Sequence, residues 1–244
     1  MNNDFRVDGV SDKVAYIDLN GEDRAMEGER LGIIGPISLP LRVGDGVNAE
    51  AEFKWYVFAR LAKEESMPAG MLANSALVYG DPASIDTPLV RFHSGCHTGD
   101  LFYSMRCDCG AQLQKALSAI VTEGSGVALY LTLQEGRGIG LWAKAMTYLL
   151  QENGLNTYEA NLELGYPADA RCYCDATLVL LHLLGKNRIR LLSNNPHKRA
   201  AIEESGIEVV EMCSLVAGHT SRNQRYVEAK MRNGHRFAGR SLNG

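Results

Sequence analysis

Residues 126–154 read GVALYLTLQEGRGIGLWAKAMTYLLQENG. GVALYLTL (126–133) is a short apolar run rich in β-formers, the pattern of a buried strand. IGLWAKAMTYLLQENG carries a helical rhythm and stops at Gly154. Gly136 and Gly138 lie between them around Arg137, and Gly140 follows at the start of the helical stretch. A strand that turns through glycines into a helix is the unit of an α/β fold. The turn also brings free N–H groups and a planar guanidinium to one place, which suits an anion. It is neither the dinucleotide fingerprint nor the P-loop, because the glycine spacing and the Lys-Ser/Thr pair are wrong.

The same alternation continues on both sides. PLVRFHS (88–94) reads as a strand and GAQLQKALSAIVTEG (110–124) as a helix ended by Gly124. ATLVLLHLLG (176–185) reads as a helix, NRIRLLSN (187–194) as a strand, PHKRAAIEESG as a helix and IEVVEM as a strand. SNNPHKR (193–199) forms a second strand-to-helix turn, with Lys198 beside it. Such turns mark the strand ends where open α/β sheets bind ligands.

Upstream the pattern is different. Phe53, Trp55, Val57, Ala59 and Leu61 alternate with Glu52, Lys54, Tyr56, Phe58 and Arg60, a strand period of two. SALVYGD (75–81) adds another strand. Residues 1–48 are glycine-rich and weakly patterned, with a short strand expected within 29–43. The expected fold is α/β: a mixed sheet with flanking helices and an antiparallel, β-rich N-terminal part. The expected organisation is an N-terminal extension or arm at 1–48, a main domain at 49–230, and a basic tail at 231–244.

Composition narrows the class. The chain has 244 residues and a formal charge of −4, with 45% hydrophobic and 22% charged residues. These are the proportions of a folded globular protein. MNNDFRVDGVSDK (1–13) has no apolar core or basic leader. No apolar run reaches the roughly 20 residues of a membrane span. A cytoplasmic protein without membrane partners is expected. The charge disfavours a nucleic-acid coat, yet residues 217–244 hold six Lys/Arg against the single acid Glu228. Such a tail is either solvated or placed near an anionic ligand.

Six cysteines in a reducing compartment should be free, metal-bound or catalytic. Cys96-x10-Cys107-x-Cys109 is the sharpest constellation. Three thiolates and one open position describe a catalytic zinc site. A structural site needs a fourth ligand, which His93 or His97 would supply, and a set without metal is the third reading. A zinc module binding nucleic acid through the basic tail would require that fourth histidine. Arg106 and Asp108 sit beside the cysteines; Arg106 either lowers the thiol pKa or meets an anion, or the two form a solvent-facing salt bridge. Cys172 and Cys174 read as small packed hydrophobes. In GYPADARCY (165–173), Asp169 and Arg171 read locally as a surface pair.

Four motifs together are specific. RFHSGCHTGDLFYSMRCDCGAQL (91–113), QEGRGIGLWAK (134–144), NTYEANLELGYPADAR (156–171) and RLLSNNPHK (190–198) resemble, in order and spacing, the GTP cyclohydrolase II family. The resemblance covers roughly residues 70–230. It implies zinc on Cys96, Cys107 and Cys109. It implies Asp169 as proton acceptor, Arg171 as nucleophile at the α-phosphate, and Tyr148 in the later hydrolysis. Nucleotide contacts would fall to Arg91, His93, Ser94, Gln112, Glu135, Gly136, Arg137, Thr157, Ser193 and Lys198. It further implies GTP as substrate, Mg2+ with the triphosphate, and a homodimer. The chain departs from the family pattern at Gly95 (usually Glu), His97 (usually Leu), Leu133 (commonly Arg), Cys172 (usually Asp) and Ser193 (a Thr). A glycine cannot accept the two hydrogen bonds a carboxylate takes from a guanine edge. A changed nucleotide or incomplete hydrolysis is therefore the alternative expectation.

Overall fold

The computed structural model describes residues 10–19, 29–44, 50–62 and 72–236. Eight strands form one mixed sheet: β1 (Val14–Asp18), β2 (Glu29–Arg42), β3 (Glu50–Ala62), β4 (Asn74–Tyr79), β5 (Leu89–Ser94), β6 (Gly126–Leu131), β7 (Arg188–Leu192) and β8 (Glu208–Cys213). Their order is β1-β2-β3-β4-β6-β5-β7-β8. β1 to β4 run antiparallel, and β4 pairs antiparallel with β6. β6, β5, β7 and β8 are parallel. Parallel neighbours require crossovers. These are supplied by α1 (Cys109–Glu123), α3 (Gly140–Glu152), α4 (Glu159–Glu163), α5 (Cys174–Leu184) and α6 (Pro196–Glu204). A single distorted turn, α2 (Glu135–Gly138), precedes α3, and α7 (Gln224–Arg232) follows β8. No described helix is long and apolar enough to cross a membrane.

Helices cover both faces of the sheet. On one, Ala116, Leu117 and Ile120 of α1 pack with Phe53, Leu89, Ala128 and Leu192. On the other, Val179, Leu180 and Leu184 of α5 and Ile202 of α6 pack with Phe58, Val90, Phe92, Leu129 and Leu191. This two-sided burial corrects the reading of β3. Phe58, grouped with the polar positions by its period, is only 1% exposed, because its face also meets the core. Trp55 and Val57, from the apolar set, are half-buried.

Residues 29–43 hold more than the expected short strand. β2 spans 14 residues and pairs with β3 along its length. Gly35 and Pro36 interrupt the register, two residues facing one. Gly35 takes φ +143°, and a Cβ there would meet the Trp55 carbonyl oxygen at 2.7 Å. Leu31 and Ile33 of β2 lie in the same core as α5. The described part of the segment expected as an arm thus enters the main sheet. Its other residues, and residues 237–244 of the basic tail, lie outside the described set.

Leu31 is fully buried. Leu31→Ala should cost about 2–5 kcal/mol of stability by urea denaturation, the range for a buried leucine. A loss below about 0.5 kcal/mol would show that β2 is not integral to the core.

Candidate active site

β5, β6 and β7 run parallel and end together, so the loops that follow them meet. The chain after β5 brings Cys96, the chain after β6 brings Gln134–Arg137, and the chain after β7 brings Ser193–Asn195. One pocket is lined by all three. It contains every sequence-predicted site residue except Asp169, which sits at its rim through Arg171.

The three cysteine sulfurs lie within 4.8 Å of one another. Cys96 Sγ and Cys107 Sγ are 3.8 Å apart. Tetrahedral zinc with sulfur at about 2.3 Å needs sulfurs about 3.8 Å apart. Neither histidine weighed as a fourth ligand joins the group. His93 Nε2 pairs with Asp100 at 3.2 Å, and the His97 ring packs edge-on against Phe102. The thiols also oppose one another electrostatically. Hydrogen bonds from Cys107 and Cys109 hold Cys96 far below the usual thiol range. For Cys107, the hydrogen bond with Cys109 pulls down, but Cys96 and burial push the thiol up to about 11. Cys109 is pushed well up by hydrogen bonds to Cys107 and Cys96. Ionising all three thiols together would require a cation, and the donor set suits zinc.

A ring of buried groups fixes these sulfurs, and most of it escaped the sequence reading. Lys144 Nζ donates to Cys96 Sγ at 3.2 Å, to Thr98 Oγ1 at 3.1 Å and to Glu135 Oε1 at 2.5 Å. Burial lowers the Lys144 pKa, but the charges of Cys96 and Glu135 outweigh it and the net shift is upward. The other oxygen of Glu135 accepts the His97 amide at 2.5 Å. The Glu135 carboxylate, expected to contact nucleotide, is thus engaged by the protein itself. Tyr148 OH lies 3.0 Å from Thr98 Oγ1. Asp100 accepts from the Cys96 amide at 2.8 Å and from Tyr130 OH at 3.0 Å.

Asp108 is not solvent-facing. Its side chain is fully buried, with Lys230 Nζ at 2.6 Å and Gln112 Nε2 at 2.8 Å. Gln112 Oε1 in turn accepts from Arg91 at 3.0 Å. α7 adds Tyr226 OH at 4.0 Å from Cys109 Sγ, and Asn223, just before it, donates to the Cys107 carbonyl at 3.1 Å. Lys230, counted within the basic tail, is therefore a buried counter-ion. Arg106 does form the surface pair, with Glu152 at 2.9 Å, while stacking over Tyr148.

The QEGR turn is held under strain. Gly136, Arg137 and Gly138 all have positive φ. Arg137 is a costly residue for this conformation. Its guanidinium donates to Thr157 Oγ1 at 2.6 Å and stacks on Tyr158 at 4.0 Å. A Cβ on Gly138 would press on the Ala170 carbonyl at 3.0 Å. That close approach seats the 169–171 loop, whose Ala170 amide donates to the Arg137 carbonyl.

Arg171 grips Asp169 through Nε at 2.8 Å and through Nη2, and reaches Ser94 Oγ at 3.2 Å. Ser94 donates to Gln134 at 2.7 Å, and Gln134 donates to the Cys172 carbonyl at 2.7 Å. Burial opposes both charges of the pair, but hydrogen bonding and mutual attraction win. Asp169 is shifted down and Arg171 up. Lys198 is fully enclosed, donating to the Phe92 carbonyl at 2.7 Å. Burial, then Arg91 and Arg171, lower its pKa well below the lysine range. Burial likewise brings Arg91 down to about 10, and its Nε has no hydrogen-bond partner among the described residues. Cations that destabilise one another in a dry pocket call for an anion.

Cys172 and Cys174 are exposed, contrary to the packing expected of them. Cys172 lies in the irregular stretch after Arg171 and Cys174 opens α5, where chain position rather than side-chain polarity decides burial.

Comparison with known proteins agrees with this arrangement. The GTP cyclohydrolase II family model matches residues 46–214. A GTP cyclohydrolase-2 of Shewanella oneidensis is 46% identical over 176 residues, covering 72% of this chain and 85% of that protein. A GTP cyclohydrolase-2 of Proteus mirabilis is 50% identical over 157 residues, 64% of this chain and 77% of its own. A riboflavin biosynthesis protein of Vibrio vulnificus is 50% identical over 163 residues, 66% of this chain but only 44% of that longer protein. With its thiol triad, cation-lined pocket and this extent of match, the chain belongs to the GTP cyclohydrolase II family of enzymes.

Proposed function

We propose that the protein opens the imidazole ring of GTP, releasing formate and pyrophosphate and leaving 2,5-diamino-6-ribosylamino-4(3H)-pyrimidinone 5′-phosphate. The observation that carries this reading is one pocket with two opposite demands. Three thiols ask for a cation, and Arg91, Arg171 and Lys198 ask for an anion. Cys96, Cys107 and Cys109 would hold zinc, which supplies Lewis acidity and an acidified water when bound. Mg2+ arrives with the triphosphate as part of the substrate. We assign the catalytic unit to 49–230, with β2 completing its sheet, and its location to the cytoplasm.

Arg91, Arg137 and Lys198 bind phosphate oxygens and offset their charge. Asp169 and Arg171 address the α-phosphate, as acceptor and nucleophile. Attack by Arg171 needs a proton to leave a guanidinium, and the pair as it stands resists that. Both shifts favour the ion pair, so phosphate contact must first loosen its grip. His93, Ser94, Gln112, Glu135, Gly136, Thr157 and Ser193 shape the nucleoside site, and Tyr148 acts in the hydrolysis through its bond with Thr98.

A second reading is favoured at Gly95. A Cβ there would meet the Leu131 carbonyl at 3.1 Å and Tyr130 OH at 3.2 Å. A side chain there would need Tyr130 to give by a few tenths of an ångström, and Gly95 brings no carboxylate to the pocket, which favours another nucleotide or hydrolysis halted at the formamide.

An exposed apolar face supports a homodimer. Leu101, Phe102, Tyr103 and Met105 are exposed on one loop, and Trp142 and Leu149 on α3. Arg106 ties that loop to α3 through Glu152. Such apolar faces commonly mark interfaces.

Zinc-loaded protein with GTP and magnesium should release formate and pyrophosphate, read by product mass spectrometry. Cys107→Ala should lose bound zinc and formate release together. Untouched GTP would overturn the first reading, and a product keeping the formyl carbon would establish the second. Affinity for a non-hydrolysable GTP analogue should fall as pH rises through the lowered Lys198 range, because the anion needs the charged amine. Lys198→Met should bind about ten-fold or more weakly, the scale of a lost charged hydrogen bond, and lose that dependence. Calorimetry between neutral and alkaline pH reads both. Phe102→Glu with Trp142→Glu should give a monomer by sedimentation. A dimer unchanged by both would place the interface elsewhere.

A further inference from the structure

Cys172 and Cys174 are both exposed, and their sulfurs stand 2.9 Å apart. Both are free thiols. Cys172 follows Arg171 directly, in an irregular stretch, and Cys174 opens α5. Tyr173 between them is buried, its ring edge-on to Phe92 at 6.0 Å, so the loop is pinned at its centre. The Cys172 carbonyl takes the Gln134 amide, and the same Gln134 takes Ser94, which meets Arg171. Any change in the backbone at Cys172 is thus passed to the guanidinium by its own neighbour and by the Gln134–Ser94 chain.

We propose that Cys172 and Cys174 form a reversible thiol–disulfide pair that controls the placement of Arg171. The oxidant is a low-molecular-weight disulfide. The Cys172 thiolate attacks one of its sulfurs and expels the first small thiolate. The Cys174 thiolate then attacks Cys172 sulfur in the mixed disulfide and expels the second. The protein loses two electrons and two protons, and the small disulfide becomes two thiols. A bond of about 2.05 Å must draw the sulfurs closer than they now stand. With Tyr173 held in the core, the adjustment falls on the Cys172 backbone, and Arg171 loses its seat against Ser94 and Asp169. The effect on turnover rests on the proposed role of Asp169 and Arg171, whereas formation of the bridge does not.

The test uses the zinc-loaded full chain treated with oxidised glutathione, quenched with an alkylating agent and mapped by mass spectrometry. The peptide holding Cys172 and Cys174 should lose two hydrogens and escape alkylation. Formate release should fall about ten-fold or more, the scale of a misplaced reacting group. Dithiothreitol should restore both, with zinc content unchanged. Cys174→Ser should keep its activity through the same treatment. Alkylation of both residues under conditions that oxidise a reference dithiol would overturn the proposal, as would a stable mixed disulfide without a bridge. A bridge with undiminished turnover, or equal losses in Cys174→Ser, would overturn the control of Arg171. If the chain has no activity on GTP, the peptide map alone still decides whether the bridge forms.

Discussion

A carboxylate with no exposed surface must find partners, and Asp108 finds Lys230 and Gln112 close by, with His219 at 3.9 Å. It lies between two of the metal-type cysteines, and its oxygens are held by Lys230 and Gln112. An unpaired charge in that position would cost several kcal/mol. Much follows from this pairing. Lys230 fixes α7 over the thiol loop, which sets Asn223 on the Cys107 carbonyl and Tyr226 beside Cys109. Gln112 carries the same chain to Arg91, so the thiol side and the cationic side of the pocket share one hydrogen-bonded line.

The pocket wall has an unusual balance for a protein of net negative charge. Arg91, Arg171 and Lys198 repel one another in a place with little water, as the lowered Lys198 shows. Asp169 offsets Arg171, but it lies at the rim. Local arrangement, not the charge sum, prepares the site for a polyanion. The sheet makes this economical, because three parallel strands deliver their loops to the same end.

Much of this was legible in the sequence where the signal is local. The Gly-rich turn after β6, the parallel strands and the cysteine spacing all speak through a few adjacent residues. β3 was readable as a strand but not as a two-sided one, since a period of two reports one face and Phe58 belongs to the other. β2 was underestimated because Gly32, Gly35 and two prolines look like breakers, yet a long partner strand supplies its order. Asp108, Asp100 and Lys144 were hidden for another reason. A charged residue looks solvated until its partner is known, and Lys230 is 122 positions from Asp108. Cys172 and Cys174 failed in the opposite sense, an apolar residue type standing exposed.

The distance between Asp108 and Lys230 also bears on how the molecule is made. The thiol loop is complete by residue 109, but the lysine that grips its buried carboxylate is residue 230, synthesised much later. Chains emerge from the ribosome N-terminus first. Strands β1 to β5 and α1 are thus available long before α7 closes on the cysteines, although the last strand, β8, ends only at Cys213. Throughout that interval the three sulfurs lack Asn223, Tyr226 and Lys230. The metal-type site is among the last parts of the protein to be finished, although its ligands are not among the last residues translated.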